Sequence, residues 1–326
     1  MKLKRKRKNK VQIEQVFKEK NSFFLTTASP DGDSVGSMQA LGIALQNHGK
    51  KASLYFPEPV PENLNFLPGK NAVVSELPAA PLDVMVVMDT GSSRLLFDGD
   101  KRGWGKIAKQ IVNIDHHPDN DRFGEINCVL PEAASTGEII FQILTHLNWE
   151  ITPDIASCLL TAVMADTGIF RYPNVTDSTY SIASSLLKTK IDNGKIARQL
   201  YASYSYPYAK LLGRMFSNLK KKHDGKIAWS SLSQEDFAAA EAAEDEGDKM
   251  VEQLDILKEV HVFALFREMK DGIIKISLRS RNNLPVNRIA SLFGGGGHVQ
   301  AAGCKIKSTL KEAEQKVIQE LDSFFT

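Results

Sequence analysis

Four short acidic motifs mark the first half of this chain, each behind an apolar run. They are Asp31-Gly32-Asp33, Asp89 behind 84–88, Asp115-His116-His117 behind 111–114, and Asp166 behind the run that begins at Leu159. Each has an ordinary local use: Asp31-Gly32-Asp33 after Pro30 suits a turn or a helix cap, Asp89 before Thr90-Gly91 can end a strand, and Asp166 can close a helix before Gly168. Their joint occurrence needs more than turn chemistry. In an open parallel sheet, the loops beyond the carboxyl ends of neighbouring strands converge on one crevice. Carboxylates and imidazoles gathered there repel or compete unless cations neutralise them, and an oxygen-rich set with some histidine suits manganese or magnesium. Two such ions about 3.5–4 Å apart can activate a water and stabilise the leaving oxygen of a phosphate ester, with one carboxylate shared between them. Asp89, alone behind its strand, is the expected bridge.

The surrounding pattern predicts a scaffold of that kind. Residues 23–28 read as a strand, Val35, Met38, Leu41 and Leu45 fall at helical spacing and stop at Gly49, and 51–56 is the next strand. Ser135 with Glu138 three residues on resembles a capping box that opens an apolar helix through Leu147, and 154–164 is again helical. Short apolar strands alternating with amphipathic helices predict an α/β domain with a doubly wound, mainly parallel sheet. Residues 195–222 read as helices broken at Pro207, without a strand signal, and the chain turns at His223-Asp224-Gly225. Beyond it the order changes to a strand at 226–231, helices near 233–257, strands at 259–267 and 272–279 joined by a hairpin at Lys270-Asp271-Gly272, then helix, strand and helix. The expected division is a basic extension and first helix over 1–20, a catalytic domain over 21–190, a helical linker over 191–224, and a smaller α/β domain with a mixed sheet over 225–326.

The second half carries Gly294-Gly295-Gly296-Gly297-His298 behind Arg279-Ser280-Arg281. Consecutive glycines let backbone N–H groups approach an anion, a helix start behind them would add its positive dipole end, and arginine forks grip phosphate in bidentate fashion. A nucleotide ligand would also need an aromatic face for its base, for which Tyr172, Tyr204 and Phe293 are candidates.

Taken with Pro30-Asp31-Gly32-Asp33, Gly36-Ser37, Asp89, Asp115-His116-His117, Ala165-Asp166-Thr167-Gly168 and Phe170-Arg171, the chain resembles the DHH phosphoesterase family over roughly residues 20–307. The glycine-histidine run with Ala301-Ala302-Gly303 is similar to the motif of the DHH-associated domain. Length and layout look most like the nanoRNase branch, described as bifunctional oligoribonucleases and 3'-phosphoadenosine 5'-phosphate phosphatases. That resemblance implies a manganese-dependent hydrolase, with magnesium as an alternative ion, and a substrate cleft between the two domains. It places one metal position on Asp33, Asp89, His116 and Asp166 and another on Asp31 and Asp89. It implies His117 as acid or hydrogen-bond donor at the scissile phosphate, Asp115 beside it, and Arg279, Ser280, Arg281, Gly295, Gly296, Gly297 and His298 as the substrate clamp. One departure stands out: the family's first motif begins with a histidine four residues before its first aspartate, and here that residue is Thr27. A hydroxyl is a poor ligand, so the Asp31 position is expected to be weakened. Two other readings stay open: a nucleotide-binding regulatory module that has lost catalysis, and an inorganic pyrophosphatase or polyphosphatase of the same superfamily.

The bulk composition sets limits on these readings. With 326 residues, 42% hydrophobic and 25% charged, the chain can bury two cores. A net charge of +2 is not the footprint of a long-duplex binder, so any anionic ligand must be held locally; the resemblance implies short single-stranded RNA or nucleotide phosphates as that ligand, and a homodimer is compatible with it. The basic run from Lys2 to Lys10 is expected to be a solvated tail. No segment reads as a signal peptide or membrane span, and Cys128, Cys158 and Cys304 show no pairing or metal spacing, which fits a reduced cytoplasm.

Overall fold

The computed structural model describes residues 12–96, 103–248 and 250–325, so the basic run from Lys2 to Lys10 lies outside the described residues. The chain divides after Ser203 into two compact units.

In the first unit a helix over 12–19 (α1) leads into β1 (Ser22–Thr26), α2 (Gly32–Asn47), β2 (Lys51–Tyr55), β3 (Val73–Val74), β4 (Leu82–Met88), α3 (Trp104–Ile107), β5 (Ala108–Asp115) and β6 (Ile126–Val129). Helices α4 (Thr136–His146), α5 (Pro153–Asp166), α6 (Asp177–Leu187) and α7 (Asn193–Tyr201) follow. The strands form one sheet in the order β3-β2-β1-β4-β5-β6, with every pairing parallel. Alternation along the central strands explains why both faces are covered. Phe23, Leu25, Val84, Val86 and Met88 enter the larger core under the helices, whereas Phe24, Met85 and Val87 pack on the other face with Leu96, Trp104 and Ile107. The chain runs outward in opposite directions from β1 and β4, so their carboxyl ends flank the point where strand order reverses, the usual ligand crevice of such sheets. Helices α2 and α5 pack closely there, since a Cβ at Gly36 would lie 2.5 Å from the Cys158 carbonyl oxygen.

The second unit holds α8 (Tyr206–Ser217), β7 (Lys220–Lys222), β8 (Ile227–Leu232), α9 (Gln234–Ala240), β9 (Val262–Glu268), β10 (Ile273–Ser280), α10 (Val286–Leu292), β11 (Gly296–His298), β12 (Ala301–Lys307) and α11 (Leu310–Asp322). Its sheet runs β11-β12-β10-β9-β8-β7 and is mixed, with β8 and β9 parallel and the other pairs antiparallel. Two edge strands depart from the sequence expectation. The segment 220–222 is three exposed lysines, which carry no apolar alternation and suit an edge that must not recruit another strand. The glycine run leads into β11, not into a helix, so the expected helix dipole behind it is absent; the run instead follows the end of α10 and pairs with β12.

Candidate metal centre

Helix α2 begins at Gly32 with Asp31 as its N-cap, and this fixes the different fates of the first two acidic residues. The Asp31 carboxylate accepts hydrogen bonds from the Ser34 backbone N–H and hydroxyl, both at 2.9 Å, and remains exposed. Asp33, two residues on, is fully buried and receives the backbone N–H groups of Thr136 and Gly137 at 2.6 and 2.9 Å and the Ser37 hydroxyl at 3.0 Å. The donors from Thr136 and Gly137 are free because they open α4, whose first turn has no intrahelical partners for its N–H groups. The Ser135 capping signal was legible in the sequence. That the same helix start anchors Asp33 from more than a hundred residues away was not.

Asp89 leaves the end of β4 with a left-handed backbone, φ 52°, a conformation that Asp and Asn tolerate better than most residues. It accepts from the Thr136 hydroxyl at 3.2 Å. Asp166 ends a helix, α5, and not a strand, so the crevice is completed from the helical layer. The three carboxylates meet at one nitrogen. His116 Nε2 lies 3.0 Å from Asp166, 3.6 Å from Asp89 and 3.8 Å from Asp33.

The other ring nitrogen, Nδ1, faces the Ala133 carbonyl oxygen at 3.3 Å, and a carbonyl can only accept, so Nδ1 carries a proton. A neutral His116 therefore aims a lone pair at three carboxylates, which is stable only with a cation between them. A proton can take that place: although burial opposes the charged ring, the hydrogen bond to Asp166 and the surrounding carboxylates raise the His116 pKa to about 9. Burial, reinforced by neighbouring carboxylates, holds the carboxyls of Asp33 and Asp89 well above their ordinary range. Asp33, His116 and Asp166 offer ligand atoms all within 4.8 Å of one another. Carboxylate oxygens with one imidazole nitrogen are the donor set of a divalent cation such as manganese or magnesium.

His117 has a separate partner. Its Nδ1 stands 2.7 Å from Asp115 Oδ1, while Asp115, fully buried, also accepts from Asn120 Nδ2 at 2.5 Å and the His116 backbone N–H at 2.9 Å. Burial opposes ionisation of Asp115, but His117 and Asn120 outweigh it and hold its carboxyl below the ordinary value; Asp115 in turn raises the His117 pKa. A second grouping, Asp89 with His116 and His117, is also close enough to share an ion. Asn120 had no signal in the sequence beyond its place in a loop.

The remaining expected site residues have partners of their own. Thr27 is fully buried with its hydroxyl 3.3 Å from the Ser29 carbonyl, and neither grouping includes it or Asp31. In the second unit Arg281 is spent on structure: its guanidinium donates to the Asp255 carboxylate and to the carbonyls of Asp255, Leu257, Lys258 and Val260. Ser280 donates to the Leu284 carbonyl. Among the described residues, Arg279 makes an exposed pair with Glu252 at 3.3 Å and a bond to the Leu278 carbonyl. Gly295 is held against β12, where a Cβ would strike the Gly303 carbonyl, whereas Gly296, Gly297 and His298 are exposed along β11.

Residues 23–163 match the DHH family, N-terminal domain, and residues 224–326 match the DHHA1 domain. The chain belongs to the DHH family of phosphoesterases. Within it, the chain is 30% identical over 302 residues to the bifunctional oligoribonuclease and PAP phosphatase NrnA of Thermus thermophilus, covering 91% of this chain and 88% of the relative. It is 26% identical over 285 residues to the protein of that description from Bacillus subtilis, covering 86% and 87%. An exopolyphosphatase-related protein from Bacteroides fragilis superposes with a TM-score of 0.87 at 27% identity, over 98% of this chain and 96% of that one. RecJ of Thermus thermophilus in complex with Mn2+ shares the fold at a TM-score of 0.53 and 12% identity, over 99% of this chain and 55% of that one. No helix among the described residues is long and apolar enough to cross a membrane.

Proposed function

We propose that this chain is a divalent-metal-dependent phosphoesterase that hydrolyses short oligoribonucleotides and 3'-phosphoadenosine 5'-phosphate. The observation that carries the reading is the convergence of Asp33, Asp89 and Asp166 on His116 Nε2, beside a His117 that Asp115 orients. Asp33, Asp89, His116 and Asp166 are the residues that would hold the ion, with manganese the favoured occupant. When bound, the ion supplies a water activated near neutral pH and charge stabilisation on the phosphate oxygens.

The protein's own groups do the rest. The Thr136 and Gly137 N–H groups at the start of α4 oppose the rise that burial gives the Asp33 pKa and, with Ser37, hold its carboxylate in place, so that ligand geometry is set before substrate arrives. Asp115 fixes His117 with its proton on Nδ1, which leaves Nε2 to hold the exchangeable proton that a leaving oxygen would take. Arg279, His298 and the exposed N–H groups of β11 are the proposed contacts to a second phosphate or a terminal nucleotide. The similarity to proteins named oligoribonuclease and PAP phosphatase supports the substrate class.

The test is release of mononucleotides from a labelled ribodinucleotide with manganese, alongside 3'-phosphoadenosine 5'-phosphate and pyrophosphate. Turnover of the first two is the expected outcome. Turnover of pyrophosphate alone, or of none of the three with either manganese or magnesium, would overturn the reading.

A further inference from the structure

The second unit contains an aromatic pair that the centre above does not use. The rings of Tyr204 and Tyr208 stack at 4.3 Å with an interplanar angle of 11°. Tyr208, in the first turn of α8, is 6% exposed and packs in one core cluster with Met250, Val251 and Leu254. Tyr204 is 52% exposed. A ring held flat on a buried ring has already lost its rotational freedom, so its outer face is presented at little further entropic cost. The segment under Tyr208 also bears Glu252, whose charge acts on the Tyr208 hydroxyl and whose carboxylate pairs with Arg279. The aromatic pair and the arginine are thus joined through one short segment.

The two arginines of this region have opposite characters. Arg281 is fixed by the Asp255 carboxylate and four backbone carbonyls, with its guanidinium 5.1 Å from the Phe263 ring centroid. Arg279 has one exposed carboxylate partner, 53% open to solvent. Exposed pairs contribute little, so Arg279 can exchange Glu252 for a doubly accepting phosphate at low cost. Of the other aromatic candidates, Phe293 packs against the apolar core of the second unit, and the Tyr172 ring lies over Gly168, in the first unit.

We infer that Tyr204, backed by Tyr208, is a nucleobase-stacking platform and that Arg279, linked to the pair through Glu252, takes the phosphate of the same nucleotide. This rests on the phosphoesterase reading only for the identity of the ligand. Such a platform tolerates any base, because every base has a π-face, but it discriminates nucleotides from base-free phosphates.

The experiment measures equilibrium binding to the full chain, in chelator so that nothing is turned over, of a ribodinucleotide carrying 2-aminopurine at either end and of its abasic counterpart. Stacking on Tyr204 quenches the 2-aminopurine fluorescence. Tyr204→Ala is expected to weaken the base-bearing ligand by about 5- to 150-fold, remove the quench and leave the abasic ligand unchanged, while Tyr204→Trp retains both signals. Arg279→Ala weakens both ligands. Unchanged binding in Tyr204→Ala, an equal loss for both ligands, or no binding by the wild type would overturn the platform. Binding with quench but no hydrolysis on adding manganese would leave the platform standing and remove the phosphoesterase reading instead.

Discussion

Replacing Asp89 with Asn separates the charge of this carboxylate from its shape. Asn tolerates the left-handed backbone at this position, and its side-chain oxygen can still accept from the Thr136 hydroxyl, so the fold should persist. The charge is another matter. Asp33 and Asp89 lie 3.8 and 3.6 Å from the same His116 nitrogen, so their oxygens are separated by no more than the sum of the two, 7.4 Å. Two unit charges at that distance repel by about 2 kcal/mol at an effective dielectric constant of ~20. The His116 proton attracts Asp89, yet burial and the other carboxylates still hold its carboxyl well above the ordinary range. A carboxyl raised in the folded state is harmless below the unfolded value of 3.8 and costs stability as pH rises above it.

In chelator at neutral pH, Asp89→Asn should therefore be more stable than wild type by about 2 kcal/mol, roughly 4–8 °C in melting temperature for a unit of this size. With manganese at a hundred times its dissociation constant, wild type gains about 2.7 kcal/mol and the variant loses most of that gain. The order of melting temperatures inverts between the two conditions. Turnover of a ribodinucleotide should fall by at least about 10²-fold in the variant. Scanning calorimetry of both proteins in chelator and in manganese decides it. A variant less stable than wild type without metal, or one stabilised by manganese as much as wild type, would refute the electrostatic reasoning.

Three further outcomes follow from the same geometry. Because His116 holds a proton up to about pH 9 without metal, manganese must displace it: affinity should rise with pH from 6 towards 9, and calorimetric titration in buffers of different ionisation enthalpy should show proton release at neutral pH. Asp115→Asn should lower kcat by about 10²–10⁴-fold with little change in manganese affinity. Since Asp115 raises the His117 pKa, the alkaline fall in rate should move to lower pH in that variant, as a pH–rate profile would show. In the second unit, Arg281→Ala should lose about 2–3 kcal/mol of stability in denaturant titration because it strips donors from several carbonyls, whereas Arg279→Ala should stay within about 0.5 kcal/mol of wild type.

The strands and helices that carry strong periodicity were legible in the sequence, and the parallel sheet with a mixed second sheet followed from their order. What escaped were elements whose residues have no apolar pattern to read. Lys220–Lys222 pairs only at the sheet edge, and Gly296–His298 is held by backbone bonds to β12. The acidic motifs were legible as types, but their individual roles depend on caps and long-range donors. Asp31 and Asp33 stand two residues apart in sequence, yet one is an exposed cap and the other is fully buried in the centre.

Thr27 shows why one expected ligand position reads differently in three dimensions. Its hydroxyl is turned to the Ser29 carbonyl, and Asp31, the carboxylate expected to share an ion with it, already accepts two hydrogen bonds from Ser34. The groups around His116 need no contribution from either residue to assemble three carboxylates at one nitrogen. The charge of Asp31 nevertheless acts on the centre, since it helps to raise the carboxyls of Asp33 and Asp89. An exposed capping carboxylate thus adds its negative charge to the centre, and the threonine leaves that electrostatic contribution intact. The physical consequence is one compact group of acidic and imidazole donors, Asp33, His116 and Asp166, with Asp89 3.6 Å from His116 and 3.8 Å from His117.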